Sequence, residues 1–208
     1  EEKAVRRPRP GHADLPGAIK YNQADMRNVL ERASARETAV RVAAGAFFKQ
    51  LLAYFNIYIY SEVISIGDVN YPGYKLEAGK LEDFISKVEA SPVRCGSLQV
   101  GEEMMQSIKQ AMEMGESLGG CFTVGAIGVL PGLGSHVTWE RRLDGRIAAA
   151  LMSIPAIKGV EIGEGIASAS KPGSQVHDQI YYTEDQGVYR KSNQAGGIEG
   201  GISNGETI

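Results

Sequence analysis

The sequence predicts an α+β fold, or a layered α/β arrangement, on three observations. A long helical periodicity from about 26 to 54 runs into an apolar, β-branched stretch at 55–69. Later helical and strand-like segments alternate irregularly, which argues against a regular doubly wound sheet. Glycine makes up 26 of the 208 residues, and 18 of these lie from Gly115 onward. Glycine costs backbone entropy on folding, so this density predicts turns and close backbone approaches in the second half. No internal repeat is visible.

Residues 8–18 read as loop, because three prolines and two glycines fall in eleven positions. From Met26 to Tyr54, the residues Val29, Ala33, Val40, Ala43, Ala44, Phe47 and Leu51 recur at helical spacing, with Asp25 or Asn22 placed to cap. Phe55, Ile57 and Ile59 alternate, so 55–69 predicts one or two strands, and Asn70-Tyr71-Pro72-Gly73 a turn. Helices are expected at 79–90 and 101–115, separated by Ser91-Pro92 and a turn near Gly96. A strand is expected at 120–130, ended by Pro131-Gly132-Leu133-Gly134. A helix at 143–153 and a short strand from Gly159 to Ile166 come after it. Polar turns and a tyrosine-rich segment come next, and Ser192 to Gly205 reads as loop-like backbone.

Composition excludes several classes. Hydrophobic residues make up 43% and charged residues 23%, with a formal charge of −3, as in ordinary globular proteins. No apolar run reaches the roughly 18 residues of a membrane helix. The opening Glu1-Glu2-Lys3-Ala4-Val5-Arg6-Arg7 lacks the apolar core of a signal peptide. Residues 1–50 carry ten basic and six acidic residues. That excess fits a solvated face or a basic pocket for an anionic small molecule. Without a positive stripe and interleaved aromatics it does not suggest nucleic acid. Cys95 and Cys121 offer at most one disulfide, which favours a reducing compartment. His12, His136 and His177 share no ligand spacing with each other or with the cysteines, so no metal site is expected. Neither a nucleophile elbow nor a Walker lysine is present.

Three clusters could carry chemistry. His12 sits in a Gly/Pro loop after Arg6, Arg7 and Arg9, with Asp14 two residues on. Such a histidine serves as a local hydrogen-bonding residue or as an acid–base group beside an anion. Arg32 and Arg36 stand i,i+4 on the expected helix, with Ser34 between them. They form either a salt-bridged solvent face or a double clamp for phosphate or carboxylate, whose geometry guanidinium matches. The run Asn193 to Gly205 carries paired glycines three residues apart. It reads as a mobile linker or as backbone that lies against an anion or a flat ring, and its isoleucines argue for packing.

Four strings resemble chorismate synthases. They are Arg9-Pro10-Gly11-His12-Ala13-Asp14-Leu15, and Arg27 to Ala39 with its Ser34-Ala35-Arg36-Glu37-Thr38 core. The third is Leu143-Asp144 running to Met152–Gly163, and the fourth Asn193–Gly205. The resemblance covers essentially the whole chain and implies a β-α-β sandwich. It implies a lyase that converts 5-enolpyruvylshikimate 3-phosphate to chorismate and phosphate by anti-1,4-elimination. The implied cofactor is reduced FMN, with a reductant such as NADPH supplied directly or by a separate system. A homotetramer acting on a phosphorylated dicarboxylate is implied. From the residues themselves a cytoplasmic location is expected, since no export signal is visible, and no metal, nucleic acid or membrane partner is expected.

Residue by residue, His12 matches a family active-site histidine, and Arg36 a substrate-site arginine, with Asp14 placed in the substrate site beside them. Arg32, Ala33 and Ser34 match an FMN-contacting run, Pro155 and Ala156 a second contact pair, and Gly200 a further flavin contact. Asn22-Gln23 stands where the family more often has Gly-His. The family's N-terminal Gly-Glu-Ser-His portion and its C-terminal portion have no counterpart in these residues. The 208 residues are therefore expected to be the centre of a single catalytic domain and inactive by themselves. A flavin- or phosphate-binding module without catalysis is the alternative.

Overall fold

A computed structural model describes residues 4–74, 76 and 79–208. Glu1 to Lys3, part of the stretch read for a leader signal, lie outside the described residues. In chain order the elements are α1 (Asp14–Tyr21), α2 (Met26–Ala33), α3 (Glu37–Tyr54), β1 (Tyr58–Ile66) and β2 (Val69–Asn70). Next come α4 (Leu81–Ala90), α5 (Leu98–Met114), β3 (Gly120–Ile127), α6 (Leu143–Met152) and the single turn α7 (Gly173–Val176). Two short hairpins come last, β4 (Ile180–Thr183) with β5 (Gly187–Arg190), and β6 (Ile198–Glu199) with β7 (Ile202–Ser203). The mixture of helices and antiparallel strands agrees with the α+β expectation. The chain divides into two compact units, 56–130 with 205–208, and 1–55 with 131–204.

The unit of residues 56–130 is a three-stranded antiparallel sheet in the order β2-β1-β3, with α4 and α5. Gly120 and Gly125 let β3 approach β1 closely. A Cβ on Gly120 would lie 2.3 Å from the Ser65 carbonyl oxygen, and one on Gly125 would lie 2.2 Å from the Tyr60 ring. The register shifts between Val63 and Ser65, leaving an extra residue at Ile64. Side chains alternate along a strand, so one extra residue moves the buried face from Glu62 to Ser65. Phe84 and Val88 of α4 and Met104 of α5 fill the core, and Tyr60 meets the Phe84 ring edge-on at 5.5 Å. Ser97 caps α5 by accepting the Val100 N–H, and Gly115 closes it in the left-handed conformation, so the helix starts three residues before expectation. Ile208 pairs with Ala126 through both backbone groups.

In the other unit, the loop expected over 8–18 is helical from Asp14. Pro16 is tolerated because it stands in the first turn, where its missing N–H has no partner to lose. Gly17 lets α1 press on α2: a Cβ there would lie 2.5 Å from Val29 Cγ1. Asn22 ends α1 in the left-handed conformation, and Asp25 caps α2 by accepting the Arg27 N–H.

The single helix expected from 26 to 54 is two. Ser34 is extended, and its Oγ accepts the Arg36 N–H at 3.3 Å, a local bond that competes with the helix. The strand expected at 159–166 is absent. Gly163 and Gly165 have φ of +62° and +53°, outside any strand, and a 3₁₀ turn spans Gly165–Ser170. The stretch expected to be loop-like after Ser192 contains the β6–β7 hairpin. Among the described residues, no helix is long and apolar enough to cross a membrane.

Candidate active site

His12 lies on an exposed loop held by a latch. Asp14 is 1% exposed, and its carboxylate accepts the Arg9 backbone N–H at 3.0 Å, Arg9 Nε at 2.9 Å and Arg9 Nη2 at 3.0 Å. These bonds hold the Asp14 carboxyl down to about 2, against the desolvation that burial brings; His12 contributes in the same direction. Both Asp14 oxygens are thus bonded to Arg9, and the pair fixes the loop that carries His12. His12 Nδ1 stands 2.9 Å from the Pro10 carbonyl oxygen. A carbonyl only accepts, so Nδ1 carries the hydrogen. Nε2 is then the ring nitrogen that can take or give a proton.

Arg32 and Arg36 flank the break between α2 and α3 rather than sharing one helical face, which corrects the i,i+4 expectation. Arg32 lies in the last turn of α2, while Arg36 is the residue before α3 and pairs with Glu31 at 3.0 Å. The Arg36 and Glu31 side chains are 75% and 57% exposed, so this ion pair is weak. Ala33 is the last residue of α2, and Ser34 opens the break.

A cation that no sequence motif singled out ties a second segment to this one. Arg41 Nε donates to Glu37 at 2.8 Å, and its Nη1 donates to Ser153 Oγ at 2.7 Å. Ser153 caps the end of α6, and its hydroxyl donates to the Ala150 carbonyl at 2.6 Å. The bond therefore joins the first turn of α3 to the turn that carries Pro155 and Ala156. Ala156 has φ +70°, a conformation that costs an alanine on the order of 1–2 kcal/mol. The i,i+4 spacing of Glu37 and Arg41 was the available signal.

The glycine-rich run is packed against neighbouring backbone. Gly200 and Gly201 have φ of +59° and +86°, the two left-handed positions that a two-residue hairpin turn needs. Around them, the Leu143 N–H donates to the Gly201 carbonyl at 2.9 Å and the Leu133 N–H donates to Ser203 Oγ at 2.8 Å. A Cβ on Gly163 would lie 2.1 Å from the Gln194 carbonyl oxygen, so the Ile162–Glu164 backbone touches that of Gln194–Gly196. Of the paired glycines, Gly196, Gly197 and Gly201 are buried in this packing, and Gly200 is exposed, with nothing within 4 Å of where its Cβ would sit. The expectation of exposed amides thus narrows to Gly200. Asp178, which no sequence motif marks, is 8% exposed and binds the start of the run.

Three local constructions result: the His12 loop with α1 and α2, the α2–α3 break joined through Arg41 and Ser153 to Pro155-Ala156, and the glycine block around Gly200. Packing of α1 on α2 connects the first to Arg32, Ala33 and Ser34. Among the described residues, no group of three or more His, Cys, Asp or Glu side chains is placed to hold a metal.

Comparison with known proteins gives one answer. The family model described as chorismate synthase matches residues 2–208. The chorismate synthase of Syntrophomonas wolfei is 62% identical over 208 residues, all of this chain and 52% of that protein. That of Desulforamulus reducens is 54% identical over 208 residues, all of this chain and 53% of that protein. A crystal structure of a chorismate synthase superposes with a TM-score of 0.88 at 53% identity, over 94% of this chain and 60% of the other. The chain thus spans about half the length of the curated relatives it matches.

Proposed function

The chain belongs to the chorismate synthase family, and on that premise we propose that it carries part of the active site of the family's lyase. The reaction is the anti-1,4-elimination of phosphate from 5-enolpyruvylshikimate 3-phosphate, giving chorismate. The unbroken match over residues 2–208 carries this reading, because it includes every string on which the site residues stand.

The substrate brings one phosphate and two carboxylates. Arg36 would exchange its exposed Glu31 partner for one of these groups, since a multiply charged anion outcompetes a lone exposed carboxylate. When the allylic C–O bond breaks, the phosphate leaves with the bonding pair, while a ring C–H bond gives up its proton to a base and its pair forms the new double bond. A protonated His12 would stabilise that charge from Nε2, with Nδ1 still bonded to Pro10. Arg9 and Asp14 keep the loop in place while this happens.

FMN suits the residues present on one observation: the space beside Gly200 is open where any other residue would place a side chain, on a hairpin turn fixed by Leu143 and Ser203. Gly200, Pro155-Ala156 and Arg32-Ala33-Ser34 are the residues that would hold it. Reduced FMN supplies electron density that no amino-acid side chain can. NADPH, used directly or through a separate reductase, is the reductant proposed to keep it reduced. The assembly proposed is a homotetramer, and the free thiols Cys95 and Cys121 suit the cytoplasm.

Anaerobic incubation of the full-length chain with reduced FMN and substrate tests the proposal. Equimolar chorismate and phosphate, with no net oxidation of FMN, is the expected result. Substrate left unchanged by protein that has bound reduced FMN would refute it.

A further inference from the structure

We propose that Asp178 is the positioning residue that sets the glycine block for flavin, an assignment that rests on the FMN reading above. Asp178 precedes β4 and lies outside all four family-like strings. It is nonetheless a buried carboxylate with three donors converging on it. Oδ1 accepts the Ser192 hydroxyl at 2.6 Å and the Gln194 N–H at 2.9 Å, and Oδ2 accepts the Ala195 N–H at 2.9 Å. These bonds and the nearby Arg190 hold its carboxyl below the usual carboxylate range, although burial alone would push it up.

The carboxylate fixes the entry to the block. With the Gln194 and Ala195 amides pinned, the Gln194 carbonyl is turned to accept the Glu164 N–H at 2.8 Å. Gly196 then presses on Gly163, where a Cβ would lie 2.5 Å from the Gly163 Cα. Asn193 accepts the Gly197 N–H at 2.8 Å, and the Asn204 N–H donates back to the Gly197 carbonyl at 2.9 Å. The exit is gripped separately. Arg190, 9% exposed at its side chain, donates to Glu199 at 2.8 Å, beside Gly200. Asp178 touches no proposed flavin contact itself; it acts through the backbone that presents Gly200.

The test uses the full-length chain. Asp178→Asn keeps one acceptor but turns an NH₂ group toward the Ala195 N–H, so two donors face each other. Ser192→Ala removes one donor and leaves both amides bound. For Asp178→Asn we expect FMN to bind at least tenfold more weakly, and amide exchange at 193–197 to rise at least tenfold. The substrate KM at saturating FMN should stay within about twofold, a split that general destabilisation would not produce. Ser192→Ala should change FMN affinity less than threefold. An Asp178→Asn protein that binds FMN within twofold of the parent would overturn the proposal. Should the parent itself fail to bind FMN, the flavin reading falls. Amide exchange then decides the positioning role alone, unchanged exchange at 193–197 refuting it.

Discussion

Asp14 and His12 are two residues apart and play opposite parts. Asp14 is buried and committed to Arg9, while His12 is exposed and keeps Nε2 free. The Asp14 carboxyl titrates at about 2 in the folded chain against an ordinary value of 3.8. A depressed folded value means the latch contributes its full stability above 3.8 and loses it as the pH falls to about 2. Melting curves of the parent and Asp14→Asn should therefore differ by a constant amount above pH 4 and converge toward pH 2. A gap that stays constant down to pH 2 would contradict the latch. Arg36→Ala should raise the substrate KM at least tenfold with little effect on FMN affinity, measured by steady-state kinetics and flavin fluorescence. At this scale the residue types were legible in the sequence. Their division of labour was not, because nothing in the string shows that Arg9 folds back five residues onto Asp14.

At the level of elements, Gly163 is the sharpest test. Its φ is +62°, and any Cβ would collide with the Gln194 carbonyl and the Gly196 nitrogen. Both obstacles are backbone and cannot swing aside. Gly163→Ala should cost about 2–4 kcal/mol in denaturant unfolding. Ser97→Ala, which removes the α5 cap, should cost about 1 kcal/mol. The contrast shows why some elements were readable and others were not. Helices α4 and α5 carry buried residues at i,i+4 and i,i+7, so their periodicity announced them. The break at Ser34 depends on one side-chain hydrogen bond inside a continuous helical pattern. The strand expected at 159–166 failed because the apolar residues Val160, Ile162 and Ile166 carried the signal while the glycines between them set the backbone. Pro16 misled in the opposite direction, being a helix breaker only beyond the first turn.

The whole chain carries an imbalance. Helix α3 has 18 residues and none is buried, although Val40, Val42, Phe47, Phe48, Leu51 and Tyr54 lie along it. Exposed apolar side chains grouped along one helix favour hydrophobic association. Phe47→Ser combined with Leu51→Ser in these 208 residues should reduce self-association and hydrophobic-dye binding, measured by sedimentation and dye fluorescence. Unchanged sedimentation and dye binding would mean that the α3 face takes no part in association.

The proposed elimination is tested most directly at His12, the residue proposed to stabilise the departing phosphate from Nε2. Anaerobic turnover of full-length His12→Ala with reduced FMN is the decisive experiment. Chorismate formation should fall about a hundredfold or more, the range a positioned acid–base group contributes, with FMN affinity unchanged. Turnover equal to that of the parent would contradict the role assigned to His12.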